Sequence, residues 1–227
     1  VMLQRQGLIT ESEASMTAEA LFHIMENVDF ASMTYDGSFE DLFFVIEREL
    51  AKRIGISVSG KFHTGRSRND MEHTMFRMVL KKKLIENLEL HESLVEKLIY
   101  KAGSNLEEII LLYTHGQPAQ PSTLAHYLGA VIEVILRDME RIYSALQNVD
   151  LCPMGAAAIT TSGFNVDREL MAELLGFHDC VENSYGAIAA CDYITASYSA
   201  MKLSCINLGR FVQDLASWTG FEISQLY

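Results

Sequence analysis

From Asp70 to Lys101 the chain contains neither proline nor glycine. A run of that length with no backbone breaker has few options other than a long helix. Leu80, Leu84, Leu88, Leu94 and Leu98, with Ile85, Val95 and Ile99, form an apolar stripe at helical spacing. Lys81, Lys82, Lys83, Glu86, Glu92 and Glu96 lie largely elsewhere, as on a solvated face. Gly103 and Ser104 are expected to loosen this helix without ending it. A second stripe, Leu124, Leu128, Ile132, Ile135, Met139, Ile142 and Leu146, advances by alternating steps of 3 and 4 after its first turn, as in coiled-coil packing. A third follows Ile188, Cys191, Thr195, Tyr198, Lys202, Cys205, Leu208, Val212 and Leu215, ending near Trp218. No convincing strand alternation is present, and the pattern at 56–60 is too short to read as one. The expected fold class is all-α, a bundle of long helices.

Shorter helices precede the bundle. Thr10 followed by Glu13 is a capping box, and predicts a helix running to about Glu26. Asp36-Gly37 reads as a turn, with Ser38 or Asp41 as the cap of the next helix. Its apolar positions are Leu42, Val45, Ile46, Leu50 and Ile54, and Gly55 is its stop. The expected organisation is a small N-terminal helical part over 1–58 and a central long-helix bundle over 59–227. The abrupt opening and the FEISQLY ending are those expected of the middle of a longer protein.

The formal charge of -12 argues against nucleic acid as a partner, because phosphate binding needs a basic face. No signal peptide or membrane-length apolar run is evident, which predicts a cytoplasmic protein without a membrane partner. Cys152, Cys180, Cys191 and Cys205 form no C-x-x-C pair, so buried free thiols are expected and no metal site.

Three interruptions separate the helical segments, and each is richer in polar chemistry than a bundle turn requires. The first, GKFHTGRSRND (60–70), concentrates Lys61, Arg66 and Arg68 among small donors. Asn69, with Glu72 three residues on, is the expected cap of the long helix. A helix N-terminus beside two arginines suits a carboxylate, although a cap with exposed arginines would read the same way. In the second, YTHGQPAQP (113–121), His115 sits among hydroxyl and amide donors on a proline-stiffened path, as a positioned proton donor would. His126 is read as helix packing. The third, MGAAAITTSGFN (154–165), offers Thr160, Thr161 and Ser162, which could bind a carboxylate or satisfy their own turn. No G-x-S-x-G, P-loop or H-E-x-x-H motif occurs.

The order HTGRSRND, YTHGQPAQP, then GAAAITTSGFNVDRELMAELLGF and an Asn-Ser-opened long helix closely resembles argininosuccinate lyase, of the fumarase/aspartase superfamily. The resemblance spans essentially the whole chain. It implies a homotetrameric helical bundle whose active sites are shared between subunits. The implied reaction is β-elimination of argininosuccinate to arginine and fumarate, in arginine biosynthesis, on a dicarboxylate substrate and without a cofactor or metal. By motif, Ser67, Arg68 and Asn69 would bind substrate carboxylates. Thr114 would contact substrate and His115 would assist catalysis, with Gln120 a further contact. The family's third signature loop, with its serine base, is expected beyond residue 227. Phe43 stands where the family has His, and Gly186 and Cys191 stand where it has Asp and Arg. A paralogous lyase acting on another N-succinyl amine, or a non-catalytic assembly protein of the lens-crystallin type, are the alternatives. A relative such as adenylosuccinate lyase fits HTGRSRND less well.

Overall fold

A computed structural model describes residues 1–226. Its elements in chain order are α1 (Met2–Arg5), α2 (Glu11–Asn27), α3 (Leu42–Ile54), α4 (Ile56–Phe62), α5 (Arg68–Gly103), β1 (Ile109–Thr114), β2 (Gln117–Thr123), α6 (Leu124–Val149), β3 (Leu151–Cys152), α7 (Arg168–Leu174), β4 (Asp179–Cys180), α8 (Ser184–Ala189) and α9 (Asp192–Trp218). The expected helical class is found, and α5, α6 and α9 are 36, 26 and 27 residues long. The chain packs as two units, Val1–Met75 with Leu151–Ala189, and Phe76–Asp150 with Ala190–Tyr227. The boundary falls inside α5.

In the first unit the expected caps form. Thr10 Oγ1 accepts from the Glu13 N–H while a Glu13 carboxylate oxygen accepts from the Thr10 N–H, closing the box. Asp41 caps α3 by accepting from the N–H groups of Phe43 and Phe44. Gly55 ends α3 at φ 81°, a conformation glycine adopts without steric penalty. Ala20, Ile24 and Leu50 join α2 to α3, and Met2, Leu3, Ile9, Leu170 and Met171 join α1 to α7. β3 and β4 make a two-residue parallel pairing beside buried Cys152 and Phe177.

In the second unit Leu84, Ile142, Ala145, Val149, Tyr193 and Ala200 form one core cluster across α5, α6 and α9. Val95, Leu98, Ile110, Leu124, Leu128, Ile135 and Trp218 form another, which includes the β1–β2 hairpin. Asp138 is fully buried on α6 and is satisfied by Asn207 Nδ2 at 2.9 Å and Arg141 Nη1 at 2.8 Å. A buried carboxylate is tolerated only when its lone pairs are matched in this way.

Four expectations need correction. The long helix ends at Gly103, so Gly103 and Ser104 do terminate it. Residues 109–123 form an antiparallel hairpin, although the sequence showed no alternation there; the pairing passes from Leu112↔Gln120 to Tyr113↔Pro118, a bulge that accommodates the prolines of an edge strand. The buried line of α9 is Tyr193, Ser197, Ala200 and Ser204, while Tyr198 is 63% and Val212 60% exposed. Hydropathy misplaced that line because Ser204 is buried through a hydrogen bond to His91 Nε2 at 2.6 Å. All four cysteines are free, but Cys191 and Cys205 are exposed.

Candidate active site

The first interruption folds as a tight connection between α4 and α5. Ser67, not Asn69, precedes the first turn of α5: its Oγ accepts from the Asn69 N–H at 3.3 Å, and its own N–H donates to Asp70 Oδ1 at 2.9 Å. Asp70 therefore takes the reciprocal part expected of Glu72, because its shorter side chain reaches back from the third helical position. Asn69 is exposed, and its Nδ2 donates to the carbonyl of Ala158 at 3.3 Å.

The cations of this stretch have partners within the unit. Lys61 Nζ lies 2.5 Å from Glu13 Oε1. Arg68 bonds Asp41 at 2.6 Å and Glu40 at 3.0 Å, and Asp41 is held below the ordinary carboxylate range mainly by that guanidinium. Arg66 stacks over the Phe62 ring at 4.3 Å and donates to the Phe62 carbonyl. Burial lowers the Arg66 pKa, opposed by Asp70 and Glu47. A carboxylate ligand at this stretch must compete with Asp41 and Glu40 for Arg68, while the small donors Ser67 and Asn69 sit at the positive end of α5.

The third interruption lies against the first in the same unit. Gly155 N–H and Ala157 N–H both donate to Asp70 Oδ2, at 2.9 and 3.0 Å. Gly65 comes so close to residues 162–166 that an added Cβ would lie 2.6 Å from Val166 Cγ1. Ala157 and Thr161 hold positive φ of 53° and 65°, and the Thr161 N–H donates to the Ala156 carbonyl at 2.8 Å. Thr160 and Thr161 are exposed and Ser162 is half-buried. Phe43 packs 5.3 Å from the His63 ring, and Gly186 N–H donates to Asn183 Oδ1 at 3.0 Å.

In the second unit, Thr114 and Gln117 close the hairpin, and His115 and Gly116 are its two-residue tip, at φ 52° and 69°. Two consecutive positive φ values are what a type I′ turn requires, and its twist matches that of the strands. Thr114, His115 and Gln120 are all exposed. His126 is exposed too, not packed as expected; its N–H is capped by Thr123 Oγ1 at 3.2 Å. Thus the structure gathers Ser67, Arg68 and Asn69 with residues 155–162 in one unit, and Thr114, His115 and Gln120 on one hairpin in the other. Among the described residues no group of three or more His, Cys, Asp or Glu could hold a metal ion, and no helix is long and apolar enough to cross a membrane.

The Lyase family profile matches residues 2–224. The chain belongs to the lyase family. Argininosuccinate lyase 2 of Agrobacterium fabrum is 49% identical over 100% of this chain and 45% of its own length. Argininosuccinate lyase 1 of Shouchella clausii is 36% identical over 99% of this chain and 45% of its own length. The crystal structure of EDDS lyase in complex with formate superposes at a TM-score of 0.90 and 32% identity, covering 98% of this chain and 44% of that one. A D290M/Y320M variant of EDDS lyase with bound fumarate matches equally, at TM-score 0.90 and the same coverage. The helical architecture is accordingly of the fumarase/aspartase type. This lyase-family chain spans less than half the length of the curated relatives it matches.

The residue that reading the sequence missed in this lyase-family chain is Asp70. Its two distant partners are backbone N–H groups 85 and 87 residues away, which carry no side-chain signature. The one local signal was its place three residues after Ser67 at a helix start.

Proposed function

We propose that this chain is the central part of an argininosuccinate lyase-like enzyme. The enzyme splits L-argininosuccinate by β-elimination into L-arginine and fumarate, and serves arginine biosynthesis in the cytoplasm. The observation that carries the reading is the 49% identity to the Agrobacterium fabrum argininosuccinate lyase 2 across all of this chain. In this reading Ser67, Arg68 and Asn69 bind substrate carboxylates, Thr114 and Gln120 contact substrate, and His115 transfers or orients a proton. Clustering donors where charge develops on a carboxylate lowers the barrier to a carbanion-like intermediate. The exposed tip of the hairpin leaves the His115 imidazole accessible to a substrate.

Assembly as a homotetramer is supported by the apolar side chains that α5, α6 and α9 leave exposed, among them Met75, Phe76, Val79, Leu90, Leu136, Tyr143, Tyr198, Ile206 and Val212. The similarity to EDDS lyase, and Phe43, Gly186 and Cys191 at positions where the resemblance implies other residues, favour a second reading in which another N-succinyl amine is the substrate.

The test is fumarate release, followed by ultraviolet absorbance, from argininosuccinate and from other N-succinyl amines with the complete protein. Turnover of argininosuccinate supports the first reading. Turnover only of another amine moves the enzyme to the second, and no turnover of any of them overturns both.

A further inference from the structure

We propose that Asp70 is a positioning residue that fastens the Ser67–Asn69 stretch to the loop at 155–162, so that both present their donors to one anionic ligand. The inference rests on the lyase reading for the identity of that ligand.

Three backbone N–H groups from two distant stretches converge on this one side chain. Oδ1 accepts from Ser67, while Oδ2 accepts from Gly155 and Ala157. Asp70 is fully buried, so no water competes for these bonds. A carboxylate offers two oxygens, and here each accepts from a different stretch of backbone. The loop it holds needs holding. Ala157, a residue with a Cβ, sits at φ 53°, and Thr161 at φ 65°. Such backbone persists only when its surroundings over-determine it. Two further contacts bind the same stretches: Asn69 Nδ2 to the Ala158 carbonyl, and the close approach of Gly65 to Val166 and Ser162. The consequence is that Ser67 and Asn69 are carried in register with Thr160, Thr161 and Ser162. Asp70 itself is buried and bonded to backbone, so it acts through the stretches it joins.

Asp70→Asn is the discriminating substitution. It keeps the volume but leaves a single acceptor oxygen. In either orientation of the amide, its NH₂ faces a backbone N–H, so one of the two stretches is released. Asp70→Ala releases both, and the isosteric variant remains informative where that one fails to fold.

The experiment uses the complete protein, with hydrogen exchange read at Ser67, Gly155 and Ala157 beside steady-state kinetics on argininosuccinate. In Asp70→Asn, exchange should accelerate about tenfold or more at Ser67 or at the 155/157 pair, the scale expected when a buried donor loses its acceptor. KM should rise about tenfold with a much smaller change in kcat, as when ligand binding alone is weakened. A merely structural role would lower the amount of active enzyme and leave KM where it was. Unchanged exchange overturns the clamp, and faster exchange with unchanged KM overturns the positioning role. A wild-type protein with no turnover would count against the lyase reading, and the exchange arm alone would then decide the clamp.

Discussion

The two groups of candidate site residues are built on opposite plans. In the first unit, Ser67–Asn69 and residues 155–162 are braced by a buried carboxylate, by ion pairs and by close backbone approach. In the second, Thr114, His115 and Gln120 stand exposed on a two-stranded ribbon whose shape comes from a two-residue turn. The difference matches the tasks proposed for them. A wall that recognises carboxylates gains from donors that do not reorganise when charge arrives. A proton-transferring imidazole needs defined backbone and free access, which a type I′ tip supplies with very few contacts.

The largest expected effect tests the hairpin. His115→Asn keeps a residue that tolerates positive φ but removes the imidazole. Turnover should fall about 10²–10⁴-fold with little change in melting temperature. A protein that melts much earlier would show the tip to be structural and would erase the difference between the two units.

Next come two glycines with similar backbone and different surroundings. Gly155 has φ 86°, and an added Cβ would lie 2.8 Å from both Arg168 Cγ and Met171 Cε. Gly116 has φ 69° and nothing within 4 Å. Gly155→Ala should destabilise by roughly 2–4 kcal/mol, from strain and overpacking together. Gly116→Ala should cost about 1 kcal/mol, from backbone strain alone. Denaturant unfolding of the two variants checks the order, and equal losses would contradict the braced-versus-open distinction.

A smaller effect separates two threonine caps. Thr10 takes part in a reciprocal box with Glu13, whereas Thr123 accepts a bond from His126 N–H at the start of α6. Thr10→Ala should cost about 1–2 kcal/mol and Thr123→Ala about 0.5–1 kcal/mol in thermal unfolding.

The smallest effect is on acid stability. Glu13 is lowered from 4.5 to about 2, first by the Lys61 hydrogen bond and then by the Thr10 N–H. A carboxylate with a depressed folded pKa stabilises above its unfolded pKa and loses that contribution as pH falls through the folded one. The contribution of Glu13 should therefore be complete above 4.5 and disappear on acidification towards about 2. Lys61→Met should flatten the stability-versus-pH curve in that window, measured by urea unfolding at stepped pH.

Local signals carried much of the fold. The Thr10–Glu13 box, the Asp41 cap, the Gly55 stop and the buried Leu124, Leu128, Ile135 and Ile142 of α6 each depend on residues within a few turns of one another. They were legible because side chains at such spacing must meet once a helix forms. The hairpin was not, because Pro118 and Pro121 mask a strand whose pairing rests on backbone register. The α9 line was misplaced because Ser197 and Ser204 are buried by partners and not by hydropathy.

The chain's own residues determined the helical class and, by motif order, the polar stretches that carry the candidate site residues. Those are consequences of short-range spacing and side-chain chemistry. Only the tertiary structure decided that Arg68 is already paired and that Asp70 joins two stretches far apart in sequence. Each of those outcomes depends on which acceptor a donor finds once the chain has packed. A backbone N–H belongs to every residue but proline, so no side-chain pattern can disclose its partner in advance.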